Sequence, residues 1–167
     1  MSEATAQNLD ASTVNLTCFE VHDRLHAIEV EYVREIARIM EITPLPNAPI
    51  LIEGVIDLRG TVIPVVDLAR VLNCGRGSTG MHARIIVVEI DGLVFGLWVD
   101  AATDVLTLDI DHMEDVPDLA AQAGYDVVRH VVRRTEGPPI MVLAVDRLVE
   151  SIFRSALPDS IAAGEAG

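Results

Sequence analysis

Residues 53–68 read Glu53-Gly54-Val55-Ile56-Asp57-Leu58-Arg59-Gly60-Thr61-Val62-Ile63-Pro64-Val65-Val66-Asp67-Leu68. Apolar runs lie on both sides of Leu58-Arg59-Gly60, so the stretch predicts two strands, Gly54–Leu58 and Thr61–Val66, around a tight turn. Gly60 can take positive φ, and Arg59 is thrown outward from the tip. An arginine held on a rigid turn is a good interaction anchor, because its fork of donors engages a carboxylate or carbonyls with little further ordering. Asp67, a good N-cap, predicts a short helix over 67–72.

Working outward, the apolar period stays mostly at two. Thr17, Phe19 and Val21 face one way, His22-Asp23-Arg24 turns the chain, and Leu25–Val30 returns as a hairpin partner. Ile85–Ile90 and Leu93–Val99 repeat this around Asp91-Gly92, a pair that supplies the positive φ angles of a two-residue hairpin. Further strands are expected at Val105–Ile110, Val127–Arg134 and Ile140–Val145, and short helices at Glu31–Ile36 and Asp146–Phe153.

The chain also repeats itself. Shifting residues 19–39 by 69 positions lays Phe19 on Val88, Val21 on Ile90, Ile28 on Leu97, Val30 on Val99 and Glu35 on Asp104. With a slightly larger shift, Gly60, Ile63 and Leu72 find partners in Gly137, Ile140 and Leu148. The pattern predicts a mostly β protein of two small antiparallel barrels that share an apolar interface, with Phe19, Val21, Ile28, Ile90, Leu97 and Val99 buried. The organisation read from it is a polar tail at 1–14, one domain over 15–153 made of pseudo-repeats at 15–73 and 83–153, a flexible Gly-rich linker at 74–82, and a polar tail at 154–167.

Composition narrows the functions. The 167 residues carry 12 Lys plus Arg against 26 Asp plus Glu, a net charge of −14, with half the residues apolar. That charge disfavours nucleic acid, whose phosphates need clustered cations, and an anionic membrane surface. The apolar half is too large for a disordered chain. No apolar run approaches the roughly 20 residues of a membrane span, and the N-terminal residues lack the basic and apolar regions of a signal peptide, so a cytoplasmic location without membrane insertion is expected. Cys18 and Cys74 cannot make a disulfide framework and have no metal-ligand spacing.

Catalytic and cofactor motifs are wanting. Gly75-Arg76-Gly77-Ser78-Thr79-Gly80 fits the letters of a dinucleotide fingerprint, but that motif works between a strand and the following helix, and here the order is reversed. The five histidines lie in different elements, so no metal set converges. Asp109, Asp111, Glu114 and Asp115 lack the glycine and Glu spacing of a calcium loop and read as a solvated acidic loop. No nucleophile elbow is present. Neither cofactor nor metal is expected, and no enzyme activity.

At residues 54–68 the sequence resembles the CheW family, the coupling proteins of bacterial chemosensory arrays. Gly54-Val55-Ile56-Asp57-Leu58-Arg59-Gly60 and Val62-Ile63-Pro64-Val65-Val66-Asp67-Leu68 are similar to the family's G-V-x-N-L-R-G-x-V-x-P-V-x-D-L signature. The likeness continues through Gly96-Leu97-Trp98-Val99-Asp100, Asp104-Val105-Leu106 and Val145-Asp146-Arg147-Leu148, covering about residues 15–153. The resemblance implies two SH3-like five-stranded barrels and a scaffold without catalysis. One surface would hold the cytoplasmic tip of a chemoreceptor, a methyl-accepting chemotaxis protein, and another the CheW-like regulatory domain of a CheA-type histidine kinase. Carried over by motif, the receptor side comprises Arg59, Val33, Glu35, Ile52, Gly54, Asp57 and Gly60. Two positions depart from the family: Asp57 stands where Asn is usual and Glu53 where many members carry Lys, which would make the groove more acidic. The alternative is a freestanding module of the same kind that serves another output, such as type IV pili or a dedicated kinase, or binds a small ligand.

Overall fold

The computed structural model describes residues 12–116 and 126–156. Its strands are β1 (Thr13–Val21), β2 (Arg24–Glu29), β3 (Val33–Arg38), β4 (Ile52–Leu58), β5 (Thr61–Asp67), β6 (Arg84–Ile90), β7 (Leu93–Val99), β8 (Ala101–Asp109), β9 (Met113–Asp115), β10 (Val128–Val132) and β11 (Ile140–Leu143). Short 3-10 turns at Val30–Tyr32 and Ile110–His112 lead into β3 and β9, and two helices, α1 (Leu68–Val71) and α2 (Val145–Ala156), each follow a strand. The hairpin turns have the chemistry their residues suggest. His22 and Asp23 take φ of +50° and +64°, and Asp91 and Gly92 take +50° and +81°, the left-handed pairs that a two-residue turn between twisted strands requires.

The strands form two sheets, in the order β8-β1-β2-β11-β10-β9 and β3-β6-β7-β5-β4. All neighbouring pairs are antiparallel except one in each sheet, β2 with β11 and β5 with β7. Under the sequence repeat, β3, β6, β7, β5 and β4 correspond to β8, β1, β2, β11 and β10, so the two orders are the same order, with β9 as an addition. Even the irregularities correspond: the bulge between Val33 and Glu35 in β3 has its mate where Phe19 pairs with Ala102, and the bulge between Ile52 and Gly54 its mate between Val128 and His130. The halves have exchanged their first hairpins. Strands β1 and β2 of the first half complete the sheet of the second, and β6 and β7 complete the sheet of the first, so neither half makes a sheet from its own residues.

Three apolar clusters follow from this exchange. Leu16, Cys18, Ala27, Val132, Ile140 and Val142 cluster on one sheet, and Ile56, Ile63, Val65, Ile85, Val87 and Trp98 on the other. Between the sheets lies the largest cluster, which includes Phe19, Val21, Ile28, Val66, Leu68, Ile86, Val88, Leu97, Val99, Val145 and Leu148. Five of the six expected core residues are buried there, while Ile90 is half-buried at the end of β6 and packs against its margin. His26 is buried on the same sheet, its ring stacked on Phe19 at 6.1 Å between centroids, and burial pushes its imidazole below the usual histidine range.

Several expectations need correction. Residues 33–36, expected as part of a helix, are strand, because β3 is recruited by β6 in an antiparallel pairing that no local pattern reveals. Strand β1 starts at Thr13 and α2 runs to Ala156, a few residues into the stretches read as tails; the rest of those tails lies outside the described residues. The 74–82 stretch is mostly exposed, yet it is tethered rather than free. Gly77 N–H donates to the buried Asp67 carboxylate at 2.9 Å, Ser78 N–H to Asp100 at 2.9 Å, and the Trp98 indole N–H to the Ser78 carbonyl at 2.9 Å. Asp67 also caps α1 through Ala69 N–H. Its carboxyl is raised above the usual carboxylate range by burial, with these N–H donors opposing the rise.

Candidate functional site

Strands β4 and β5 pair from Ile52 with Val66 to Leu58 with Thr61, leaving Arg59 and Gly60 as the two turn residues. Both take positive φ, +51° and +88°. Glycine accepts this freely, whereas arginine in the left-handed region is uncommon and costs of order 1–3 kcal/mol of backbone strain in general, tolerated where the surroundings hold it. The turn is held by Asp57, whose Oδ1 accepts from Gly60 N–H at 2.8 Å. The Asp57 carboxylate closes an Asx-type turn, as the amide oxygen of an Asn there would too.

Facing the turn is β3. Its bulge between Val33 and Glu35 reorients the strand, as bulges do beside functional positions, and Glu35 meets the tip: Arg59 Nη2 donates to Glu35 Oε1. The arginine side chain remains 71% exposed while the glutamate is 34% exposed, so the charge sits at the rim of the molecule. Beside the pair is a cleft of about 330 Å³ lined by the apolar Leu58, Val62, Ile63, Val87 and Val94 and by the polar Arg34 and Thr61. A guanidinium beside apolar side chains can do two things at once. It can bind a carboxylate or carbonyl oxygens in fork geometry while an apolar side chain of the same partner is buried beside it.

Of the seven residues nominated for the receptor side, Arg59, Glu35, Asp57 and Gly60 stand together. Val33 lies on the same strand as Glu35 but packs against the core between the sheets. Gly54 has a local duty: a Cβ there would lie 2.3 Å from the Thr43 carbonyl oxygen, where Thr43 and Val55 exchange two backbone hydrogen bonds of 2.8 Å. Ile52 stands at the far end of β4, six residues and so about 20 Å of strand from the turn. There it lines a second, almost wholly apolar groove with Pro64, Phe95, Val149 and Phe153. Phe153 and Leu93 on this groove are more than two-fifths exposed, and the sequence pattern did not single them out.

Of the two acidic departures, Glu53 is bound by both Arg70 and Arg76, whereas Asp57 accepts, among the described residues, only the neutral Gly60 N–H and keeps its charge beside the turn. In the acidic stretch 109–115, Glu114 pairs with Arg133 at 2.8 Å and Asp115 approaches His130 at 3.6 Å. Among the described residues no group of three or more His, Cys, Asp or Glu is placed to hold a metal ion, and no helix is long and apolar enough to cross a membrane.

Comparison with known proteins finds relatives over most of the chain. The CheW-like domain profile matches residues 15–153. A chemotaxis protein CheW of Rhizobium meliloti (strain 1021) is 33% identical over 151 residues, covering 90% of this chain and 97% of the relative. One from Bacillus subtilis (strain 168) is 30% identical over 142 residues, covering 84% and 90%. The crystal structure of the scaffolding protein TtCheW from Thermoanaerobacter tengcongensis superposes with a TM-score of 0.69 at 31% identity, covering 79% of this chain and 84% of that one.

Proposed function

This chain belongs to the CheW-like family, and we propose that it uses the Arg59 cleft to hold the cytoplasmic tip of a chemoreceptor. It is a non-catalytic chemotaxis adaptor in signal transduction, coupling receptors to a CheA-type histidine kinase. The finer reading is that the receptor's helical hairpin meets Arg59, Glu35 and the apolar side chains of the cleft, that the kinase's regulatory domain uses a different surface, and that the chain works in the cytoplasm at receptor arrays.

The observation that carries the cleft assignment is Arg59 itself. An arginine at a left-handed turn position, where Asn or Gly would be easier, is placed for a reason other than the turn. Its only ion-pair partner among the described residues is the half-exposed Glu35, which a receptor carboxylate can replace or join. The test is a titration of a purified receptor tip against wild type and Arg59→Ala, with melting temperature as control. Binding weakened on the order of tenfold or more at unchanged melting temperature supports the reading; unchanged binding, or a variant that unfolds, defeats it.

A further inference from the structure

The hairpin exchange makes each half of the chain complementary to the other half of any copy. Residues 12–74 supply β1 to β5 and α1, residues 83–156 supply β6 to β11 and α2, and each sheet joins strands of both. The seams between the halves are the pairings β1–β8, β2–β11, β3–β6 and β5–β7. Each seam, and the apolar core between the sheets, fits the corresponding half of a second copy as well as its own. Residues 75–82 alone tell the two arrangements apart, since they join the halves covalently.

In the single chain those residues are more than a spacer. Helix α1 ends on Asn73 at φ +58°, and Cys74 N–H donates to the Ala69 carbonyl at 2.8 Å, so the chain is folded back beside the end of β5. Asp67 there is the partner of Trp98 on β7, and Trp98 of Ile85 on β6, so the gap to β6 is two strand spacings, about 10 Å. Residues 75–82, extended, span roughly 26 Å. The surplus is tied down as a strap, and the ties reach both halves. From the first half, Asp67 accepts from Gly77 N–H at 2.9 Å, His22 Nε2 donates to the Arg76 carbonyl at 2.9 Å, and Glu53 holds the Arg76 guanidinium at 3.5 Å. From the second, Asp100 accepts from Ser78 N–H at 2.9 Å and the Trp98 indole donates to the Ser78 carbonyl at 2.9 Å. A strap tied to both halves of its own chain favours the closed single chain. An exchanged pair keeps every sheet contact but must run its linkers from one unit to the other, away from these ties.

We propose that the strap over 75–82 is the latch that keeps this chain a monomer, and that loosening or shortening it converts two copies into a dimer that trades halves. Each globular unit of the dimer is residues 12–74 of one copy with residues 83–156 of the other. Linked halves meet at an effective concentration in the millimolar range, so the latched chain at micromolar concentration stays closed. The exchange reaches the candidate site, a consequence that rests on the receptor reading. Leu58, Arg59 and Ile63 of the cleft come from the first half, and Val87 and Val94 from the second. Each cleft of the dimer is therefore built from both copies, and the dimer presents two clefts for two receptor tips.

Wild type, Gly77→Val and a chain lacking residues 75–82 are refolded from urea at high protein concentration, diluted, and sized by light scattering. Gly77→Val expels the strap, because even a Cβ there would lie 2.9 Å from Asp67 Oδ1 and 3.0 Å from the Trp98 ring. The deletion leaves only Ala83 between Cys74 and Arg84, a reach of about 7.6 Å against the gap of about 10 Å. Exchange itself is read with cysteines in place of Arg38 and Arg84, Cα partners across the β3–β6 seam. For each strap, Arg38→Cys on one copy and Arg84→Cys on another, both with Cys74→Ser and with Cys18 buried, are refolded together, diluted, and treated with a short bismaleimide. The wild-type strap should give monomers with little cross-linking, Gly77→Val a cross-linked fraction several-fold higher, and the deletion a folded dimer whose mixed pairs cross-link. A deleted chain that is a folded monomer, or a folded dimer whose mixed pairs do not cross-link, overturns the proposal. So does a Gly77→Val chain that cross-links no more than wild type, the result that decides the matter where the shortened chain does not fold. No readout involves a receptor, so the exchange stands or falls apart from the reading of the Arg59 cleft.

Discussion

Replacing Gly54 by alanine separates a residue that shapes the site from one that touches the partner. The added Cβ would lie 2.3 Å from the Thr43 carbonyl oxygen, 2.7 Å from its carbon and 2.9 Å from Ile42 Cγ2. Backbone atoms cannot swing aside as a side-chain end can, so the Thr43 segment must move away from β4. At least one of the two 2.8 Å hydrogen bonds between Thr43 and Val55 is then lost, at about 1 kcal/mol, and overpacking adds about 1–3 kcal/mol. A total of about 2–4 kcal/mol corresponds to a melting temperature lower by roughly 5–15 °C for a domain of this size. Thermal melts give the stability, and receptor-tip binding is measured at 10 °C, where both proteins stay folded. The account expects the melting temperature to fall and the binding constant to stay within about twofold. A Gly54→Ala protein that melts like wild type but loses the receptor would refute it and make Gly54 a contact residue.

Other perturbations reach other parts of the argument. Arg59→Asn keeps a residue that tolerates positive φ while removing the guanidinium, so thermal melts should show equal or higher stability and titration a receptor affinity lower on the order of tenfold. His26 is held below the usual histidine range by burial, so the unfolded chain binds a proton as pH drops through about 6.5 while the folded chain does not. Stability measured in urea should therefore decline from pH 7.5 to pH 5, and His26→Phe should flatten that slope; identical slopes would contradict the assignment. A fragment of residues 12–74 lacks β6 and β7 and should be unfolded by circular dichroism, regaining strand signal only when mixed with residues 83–156. Phe19→Ala, at a fully buried position between the sheets, should cost about 3–5 kcal/mol in the same urea melts.

Local chemistry made much of this molecule readable from its sequence. The Arg59-Gly60 and Asp91-Gly92 turns, the alternation of β1, β2, β6 and β7, and the 69-residue repeat are all statements about near neighbours or about pattern. What was not readable depends on which strand meets which. Val33-Arg34-Glu35-Ile36 suits a helical turn as well as a strand, and only pairing with β6, some fifty residues on, decides it. The hairpin exchange is invisible for the same reason, since a repeat predicts two similar sheets without saying whose hairpin completes each. The Gly-rich stretch read as a free linker because its tethers, Asp67, Asp100 and Trp98, are distant in sequence and ordinary in type. At the site, the motif brought Arg59, Glu35, Asp57 and Gly60 to one place. It also nominated Ile52 and Gly54, which share the motif's sequence neighbourhood but stand farther along β4.

The central claim is that this chain couples receptors to a kinase through the Arg59 cleft. It is tested most directly by reconstituting a CheA-type kinase with receptor signalling fragments and measuring kinase autophosphorylation with and without this protein. The account predicts that receptor control of autophosphorylation requires the chain, and that Arg59→Glu, folded with a wild-type melting temperature, fails to restore it. Receptor control that is complete without the chain, or undiminished by Arg59→Glu, would contradict it.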